Sequence, residues 1–274
     1  MRIGCCIVGG PFVPPGAEQR EYTPLETLVN AYRFIRETGY DYMETPVARI
    51  LNLSDEEMAQ AAELYKRGEF RVEVTNCFIP GSLPLIGEKA DHAAIHAYLE
   101  KVMPRLEAVG VEYVVFGSGA ARRFPDDMPV EQAQAELEAF MTEAEAVARA
   151  HNITIVIEPL NRGETNSILS VSAGGEIARR LNLPNLKLLA DSYHMELEQE
   201  PLTSLVENED LLRHVHVAEP QRRKIPNREG GAYLRTFGAV LSGTSYQGRV
   251  SIECRYEDFV EDLRFAYPFM REVF

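Results

Sequence analysis

Four side chains that could bind a metal ion or move a proton stand at the ends of apolar runs in the second half of the chain. Glu158 ends the run ITIVI and is followed directly by Pro159, and Asp191 ends LKLLAD. His216 lies between valines in HVHV, and Glu253 follows VSI. Carboxylate oxygens combined with one imidazole suit a hard or borderline divalent cation such as Mn²⁺, Mg²⁺ or Co²⁺ better than a thiophilic one. These residue types therefore predict metal chemistry if one fold brings them together.

Strand-like runs recur along the whole chain, and a helical pattern follows each of them. The runs start on average about 35 residues apart, which is the length of one strand–helix unit. They cover residues 2–8, 40–45, 71–78, 113–118, 154–159, 186–192, 214–219 and 250–255. Eight such units predict an α/β fold of the (β/α)8 TIM barrel type, with residues 1–274 as a single domain. A doubly wound open sheet is the alternative, because periodicity alone does not close a barrel.

The helical segments carry recognisable end signals. The segment TPLETLVNAYRFIRETG ends at Gly39, a residue suited to a C-cap. Ser54 and Glu57 form the sequence pattern of a capping box at the start of the next helix. The long amphipathic candidate over residues 91–109 contains Pro104 as a weak point. These signals support the alternation of strands and helices.

A barrel would place the four strand-end residues on one rim. Active sites of such barrels lie at the carboxyl ends of the strands, and the four residues come from four consecutive strands. Each also has a structural interpretation: a glutamate can be a solvated charge, a histidine can be a satisfied core residue, and Asp191 can cap the next helix. Four polar groups at one level would be costly without a shared partner. The combination therefore favours a metal site.

The charge and hydropathy of the chain exclude some partners. Its formal net charge of −14 repels phosphate backbones, so we expect no nucleic acid partner. No apolar run reaches the roughly 18 residues that a membrane-spanning helix needs. The segment MRIGCCIVGG indicates a first strand rather than a signal peptide. We therefore expect a cytoplasmic protein that does not bind membranes.

The four cysteines predict no thiolate metal site. Cys5, Cys6, Cys77 and Cys254 lie in or beside strand-like runs, and no CxxC pair is present. We expect buried, reduced thiols, as is usual in the cytosol.

Four motifs carry a resemblance to a known family. They are IEPLNRGET from Ile157, ADSYHM from Ala190, HVHVAEPQRRKIP from His214 and SIECR from Ser251. With these motifs, and over nearly its whole length, the chain resembles the sugar phosphate isomerase/epimerase superfamily with the xylose isomerase-like TIM barrel. Within it, the chain is most similar to the ketose 3-epimerases that act on D-tagatose and D-psicose (allulose).

The resemblance implies a role for each matched position. It implies four metal ligands, namely Glu158, Asp191, His216 and Glu253. It implies three substrate-binding residues, namely Glu164, His194 and Arg222. It further implies a divalent metal cofactor, with Mn²⁺ favoured and Mg²⁺ or Co²⁺ as alternatives. A homo-oligomer, either a dimer or a tetramer, is also implied.

The resemblance predicts an epimerase acting on a free ketohexose or a related ketose. Inversion of a carbon next to a ketone requires removal of a weakly acidic proton, and a divalent ion stabilises the resulting enediolate. Glu158 and Glu253 come from the fifth and eighth strands, so we expect them to act as catalytic bases on opposite faces of the sugar. The chain has no tryptophan, whereas several of these epimerases place one near the substrate.

Two other sugar enzymes could use the same ligands. One is an aldose–ketose isomerase of the hydroxypyruvate isomerase type, which moves a proton between C1 and C2. The other is a ketose-phosphate 3-epimerase, for which the stretch Arg228–Gly231 is the candidate phosphate-binding segment.

Two further classes fit the sequence less well. An abasic-site endonuclease shares this barrel but needs extra histidines after the third and fourth strands, where the chain has TNCF and FGSG. A non-catalytic sugar-binding protein would lack a ligand or a base, and this chain has all four.

Overall fold

In the computed structural model, residues 1–7, 12–18 and 20–274 are described, and eight parallel strands close into a barrel in chain order. The strands β1 to β8 are Arg2–Cys6, Tyr42–Pro46, Val74–Asn76, Tyr113–Phe116, Thr154–Ile157, Leu186–Asp191, Leu212–Val217 and Arg249–Ile252. The pairing of β1 with β8 closes the sheet, which confirms the predicted barrel and excludes the open sheet. The predicted first run extends to Val8, which lies outside the described residues.

Helices lie on the outside of this barrel. The helices α1 to α10 are Pro24–Thr38, Val47–Leu51, Asp55–Lys66, His92–Ala108, Val130–Ala150, Val171–Leu181, Ser192–Leu197, Thr203–Glu207, Ala232–Ser242 and Phe259–Val273, and Gln221–Arg223 is a short 3-10 helix. The described chain thus has more helices than the eight predicted, because α2 and α7 are extra short helices that follow β2 and β6 directly.

The predicted helix ends are confirmed. Gly39 ends α1 with a left-handed backbone at φ 108°, and Ser54 and Glu57 form the reciprocal capping box of α3. Pro104 lies inside α4 without ending it. The predicted third strand is too long, because Cys77 adopts a left-handed backbone at φ 50° and the ladder stops at Asn76.

The barrel interior is layered by the two-residue period of the strands. An apolar cluster fills its middle and consists of Tyr42, Val74, Val115, Val156 and Leu189. Side chains that point the same way recur every second residue along a strand. The residues two positions further along these strands are Glu44, Asn76, Gly117, Glu158 and Asp191. The next interior layer is therefore mostly polar and rests on an apolar floor.

The amino-terminal end of the barrel is closed by ion pairs. Arg249 Nη2 lies 2.7 Å from Glu73 Oε2, and Arg2 Nη1 lies 2.5 Å from the same oxygen. This cluster belongs to the face opposite the strand ends. Among the described residues, no helix combines the length and the apolar character that a bilayer span demands.

Candidate active site

The four strand-end residues converge on one point. Ligand atoms of Glu158, Asp191, His216 and Glu253 all lie within 4.8 Å of one another. His216 Nδ1 lies 2.9 Å from Glu158 Oε1 and 3.1 Å from Glu253 Oε2. The β6–β7 ladder pairs Asp191 directly with His216, so the strand register itself sets this level. Three carboxylates and one imidazole thus surround a volume that a single ion can fill.

Asp191 serves a helix and the site at once. Its Oδ1 accepts a hydrogen bond from the Tyr193 amide at 2.8 Å and caps α7. Its Oδ2 faces the site, where it accepts a hydrogen bond from Arg223 Nη2 at 3.1 Å. The capping interpretation and the ligand interpretation are therefore compatible, because each uses a different oxygen.

A guanidinium marks the carboxylate cluster as a cation site. Arg223 donates to Glu253 Oε2 and to Asp191 Oδ2, and its Nη1 lies 3.8 Å from Glu164 Oε1. Its positive charge also stands 5.0 Å from the centre of the Tyr193 ring. The carboxylate and imidazole ligands suit a divalent ion, and the position of the guanidinium shows that these carboxylates attract a positive charge.

The predicted substrate residue Arg222 does not reach this site. Arg222 is exposed, whereas its neighbour Arg223 is largely buried against the carboxylates. Both residues have left-handed backbones, at φ 59° and 54°. They lie in a turn that begins at Glu219, whose side chain accepts a hydrogen bond from the Gly231 amide. This turn directs Arg223, and not Arg222, towards the carboxylates of Asp191 and Glu253.

The two candidate bases differ in proton affinity. Burial and the nearby Glu253 raise the pKa of Glu158. Burial also favours the neutral form of Glu253, but Arg223 and His216 prevail and lower the pKa of Glu253 to about 2. Neighbouring carboxyl groups whose pKa values are pushed apart can divide the roles of acid and base.

The backbone that carries Glu158 is anchored from behind. Arg122 is fully buried and donates from Nη2 to the Glu158 carbonyl at 2.8 Å. Burial lowers the pKa of Arg122 to about 10, partly offset by the charge of Glu158. Pro159 has a fixed φ and restricts the backbone of the preceding Glu158, so the glutamate side chain starts from a constrained position.

His194 presents an unpaired donor to the cavity. Its buried Nδ1 accepts hydrogen bonds from the Asn161 amide at 3.1 Å and from Asn161 Nδ2 at 2.8 Å. The proton is therefore on Nε2, which lies 3.5 Å from Asp191 Oδ2 but forms no hydrogen bond in the described part of the chain. Because a buried donor without an acceptor is unfavourable, this atom is suited to bind an oxygen of a ligand.

The loop after β5 forms the rim of the cavity. Glu164 accepts a hydrogen bond from Asn161 Nδ2 at 3.1 Å, and its side chain is 43% exposed. Arg162 points away and forms a surface ion pair with Glu198 at 2.7 Å. Of the residues in this loop, Glu164 and not Arg162 faces the site.

A cavity of about 400 Å³ opens above the converging residues. One wall carries carboxylate, imidazole and guanidinium groups, which belong to Glu158, Glu164, His194, Arg223 and Glu253. The opposite wall is formed by small or apolar residues, including Ile79, Pro80, Gly81, Gly119 and Ala120. Such a chamber suits a polyol with one polar, reacting end.

The chain matches the xylose isomerase-like TIM barrel family over residues 32–272. It belongs to this family.

Several curated proteins are similar to this chain. The 3-dehydro-D-guloside 4-epimerase of Escherichia coli (strain K12) is 25% identical over 270 residues, which span 93% of this chain and 98% of that protein. The ketose 3-epimerase of Arthrobacter globiformis is 31% identical over 102 residues, which span 37% and 35%. The first match covers whole proteins and the second only one segment.

Solved structures share the same fold. The crystal structure of 3-keto-D-glucoside 4-epimerase from E. coli has a TM-score of 0.78 at 21% identity and covers 99% of each chain. D-allulose 3-epimerase from Methylomonas sp. in complex with D-allulose has a TM-score of 0.81 at 20% identity, covering 100% of this chain and 97% of that one. At these identities the likeness concerns the family's barrel.

The sequence did not point to two residues that contact the candidate ligands. Asn76, at the end of β3, donates from Nδ2 to Glu253 Oε1 at 3.1 Å. Glu44, in the middle of β2, lies with its Oε1 2.9 Å from His216 Nε2. The period-two spacing from Tyr42 to Glu44 was the signal that could have found the latter. Cys77 was expected to be buried, but its left-handed backbone leaves it exposed on the cavity wall.

Gly117 leaves the space that the Glu158 carboxylate occupies. A Cβ at Gly117 would collide with Glu158 Oε2, the flexible end of a side chain. We predict that Gly117→Ala folds with little loss of stability but displaces the carboxylate, lowering kcat about 100-fold, as a misplacement near 1 Å can do. Metal affinity should fall as well.

Gly81→Ala is the matched control for this substitution. Its Cβ would lie 3.1 Å from Ala120 Cβ and would touch no carboxylate. Titration of both variants with Mn²⁺ should weaken only at Gly117→Ala. Equal affinities would show that Gly117 does not shape the site.

Proposed function

We propose that this protein is a divalent-metal-dependent sugar epimerase that inverts a carbon next to a ketone. The observation that carries the proposal is the approach of Glu158 and Glu253 to His216 from strands on different sides of it. The curated relatives are epimerases, which are isomerases acting on sugars, and the chain falls in the same enzyme class.

The proposed cofactor is a divalent ion, with Mn²⁺ favoured. Glu158, Asp191, His216 and Glu253 would hold it. When bound, such an ion acts as a Lewis acid that polarises the ketone and favours loss of the neighbouring proton.

The two glutamates divide the proton transfer. Glu253 faces the site from the end of β8 and can remove the proton next to the ketone. Glu158 faces it from the end of β5 and can return a proton to the other face of the resulting enediolate. In the reverse direction the roles exchange, and the carbon is inverted each time.

Three further side chains orient the sugar in this proposal. His194 Nε2 donates to a substrate oxygen, and Arg223 and Glu164 bind hydroxyls at the rim. These contacts select the carbon that lies between the two glutamates. Holding the reacting atoms in this orientation lowers the barrier of the reaction.

A free sugar is favoured over a sugar phosphate. The candidate phosphate segment Arg228–Gly231 uses three of its four amides internally: Arg228 donates to Ile225, Gly230 to Asn227 and Gly231 to Glu219. Arg228 itself pairs with Asp262. A phosphate would have to compete with each of these bonds.

The proposed reaction on such a free sugar is 3-epimerisation of a ketose. A second candidate is 4-epimerisation of a 3-keto-glycoside, which the whole-length match to a 4-epimerase favours. Both reactions remove a proton from a carbon that bears a hydroxyl and adjoins a ketone. The same four ligands and two glutamates serve either one.

A substrate panel tests the proposal. Mn²⁺-loaded protein is incubated with free ketohexoses, their phosphates and 3-keto-glycosides, and the products are resolved chromatographically. We expect epimers of free sugars. An aldose as the product would favour the aldose–ketose isomerase, and turnover of phosphates alone would favour the ketose-phosphate epimerase.

The expected homo-oligomer, dimer or tetramer, stays a prediction.

The adjacent arginines provide a matched pair of variants. We predict that Arg223→Ala raises KM and lowers kcat/KM at least 10-fold, because a charge-assisted hydrogen bond to a substrate hydroxyl is worth about 1.5–3 kcal/mol. Arg222→Ala should stay near wild type, since Arg222 is exposed. The reverse ranking in steady-state kinetics would restore the assignment made from the sequence.

A further inference from the structure

Glu44 contacts one of the four proposed ligands, His216, on the side of the ring opposite Glu158 and Glu253. It is fully buried in the middle of β2. Its Oε1 lies 2.9 Å from His216 Nε2, and its Oε2 lies 2.8 Å from His214 Nε2 and 2.7 Å from Ser251 Oγ. One carboxylate therefore joins β2 to β7 and β8 across the barrel.

The hydrogen-bond directions in this cluster are fixed by donor and acceptor chemistry. A carboxylate is an acceptor on both oxygens, so all three neighbours donate to Glu44. His216 and His214 must then each carry a proton on Nε2. His214 Nδ1 has no partner in the described residues, which agrees with a neutral ring protonated on Nε2.

The consequence for His216 is a defined ring orientation. With Nε2–H committed to Glu44, the opposite atom Nδ1 faces Glu158 Oε1 and Glu253 Oε2 at 2.9 and 3.1 Å. Nδ1 is the atom that must offer a lone pair to an ion in the site. A carboxylate behind a ligand histidine both fixes the tautomer and makes the ring a better donor.

We propose that Glu44 is a positioning residue that holds His216 in the tautomer presenting Nδ1 to the metal. This proposal rests on the proposed metal site and deepens it. Glu44 touches neither the ion nor the sugar and acts through the imidazole alone.

The substitution Glu44→Gln tests the role. An amide accepts on one side only and donates on the other. Its NH2 group opposes only His216 on the Oε1 side but both His214 and Ser251 on the Oε2 side, so the first orientation is favoured. Relief then requires a ring flip of His216 or a proton on its Nδ1, and either change removes the ligand lone pair. We expect the Kd for Mn²⁺ to weaken about 10- to 100-fold, as is usual when such a partner is lost. Glu44→Asp should recover part of the affinity.

Glu73→Gln is the matched control. Glu73 is also a buried glutamate inside the barrel, but it pairs with Arg2 and Arg249 at the opposite end. It should lose stability without a change in Kd for Mn²⁺. Equal losses of affinity in both variants would assign the Glu44 effect to general loosening of the barrel and overturn the proposal.

A second measurement needs no variant. In ¹⁵N-labelled wild-type protein loaded with diamagnetic Zn²⁺, the His216 ring should keep its proton on Nε2 and lack one on Nδ1. A proton on Nδ1 would overturn the proposal. Absence of sugar turnover together with these spectra would contradict the epimerase and leave the role of Glu44 standing.

Discussion

Replacing Glu158 or Glu253 by glutamine should abolish nearly all net epimerisation. Glutamine keeps the size and one oxygen of the side chain but cannot accept the proton. A placed base contributes about 10²–10⁴-fold to the rate, and weaker metal binding adds to that loss. We expect each variant to lose several orders of magnitude in kcat, measured by product analysis under saturating Mn²⁺.

The two variants should still differ from an inactive protein. A variant that keeps one base can exchange the substrate proton on one face with solvent without inverting the carbon. Glu219→Gln is the control, because the side chain of this buried glutamate accepts the Gly231 amide among the described residues, and glutamine can do the same. Full epimerisation by either Glu158→Gln or Glu253→Gln would contradict the assignment of two bases.

Removing divalent ions should have an effect of similar size. A chelator should reduce turnover to background, and added Mn²⁺ should restore it, because polarisation of the ketone by the ion accelerates loss of the neighbouring proton. The ion should also raise the Tm, because a ligand at 100 times its Kd stabilises the folded state by about 2.7 kcal/mol. Turnover that survives exhaustive chelation would contradict the metal-dependent reaction.

Asp191→Asn isolates the ligand from the helix cap. Asparagine can still accept the Tyr193 amide and cap α7, but it removes the charge facing the site. We expect Mn²⁺ to lose its effect on Tm in this variant. Asp258→Asn is the control, because Asp258 caps α10 by accepting the Val260 and Glu261 amides. Equal behaviour of the two variants would indicate that Asp191 acts only as a cap.

The parts of the site that lie on strands could be predicted from the sequence. A two-residue period followed by a helical period defines a strand–helix unit, and eight such units leave few ways to fold. Glu158, Asp191, His216 and Glu253 lie in or next to strands, so the barrel register carries them to one level. Their convergence follows from regular structure.

The parts that lie on turns could not be predicted. Arg222 and Arg223 differ in position only through two consecutive left-handed backbones, which no periodicity encodes. Cys77 was misjudged for the same reason. Glu44 lies on a strand, but its proposed role depends on its contacts with His214 and His216, which only the closed barrel brings near it.

In the proposed reaction, two glutamates move a proton at the carbon next to a ketone. The most direct measurement is the reaction of Mn²⁺-loaded wild-type protein in D₂O with the sugar that the panel identifies, read by NMR of the product. The proposal predicts deuterium at the inverted carbon, which is C3 for a ketose or C4 for a 3-keto-glycoside. Deuterium at C1 of the product, or inversion with no deuterium incorporated at the inverted carbon, would contradict it.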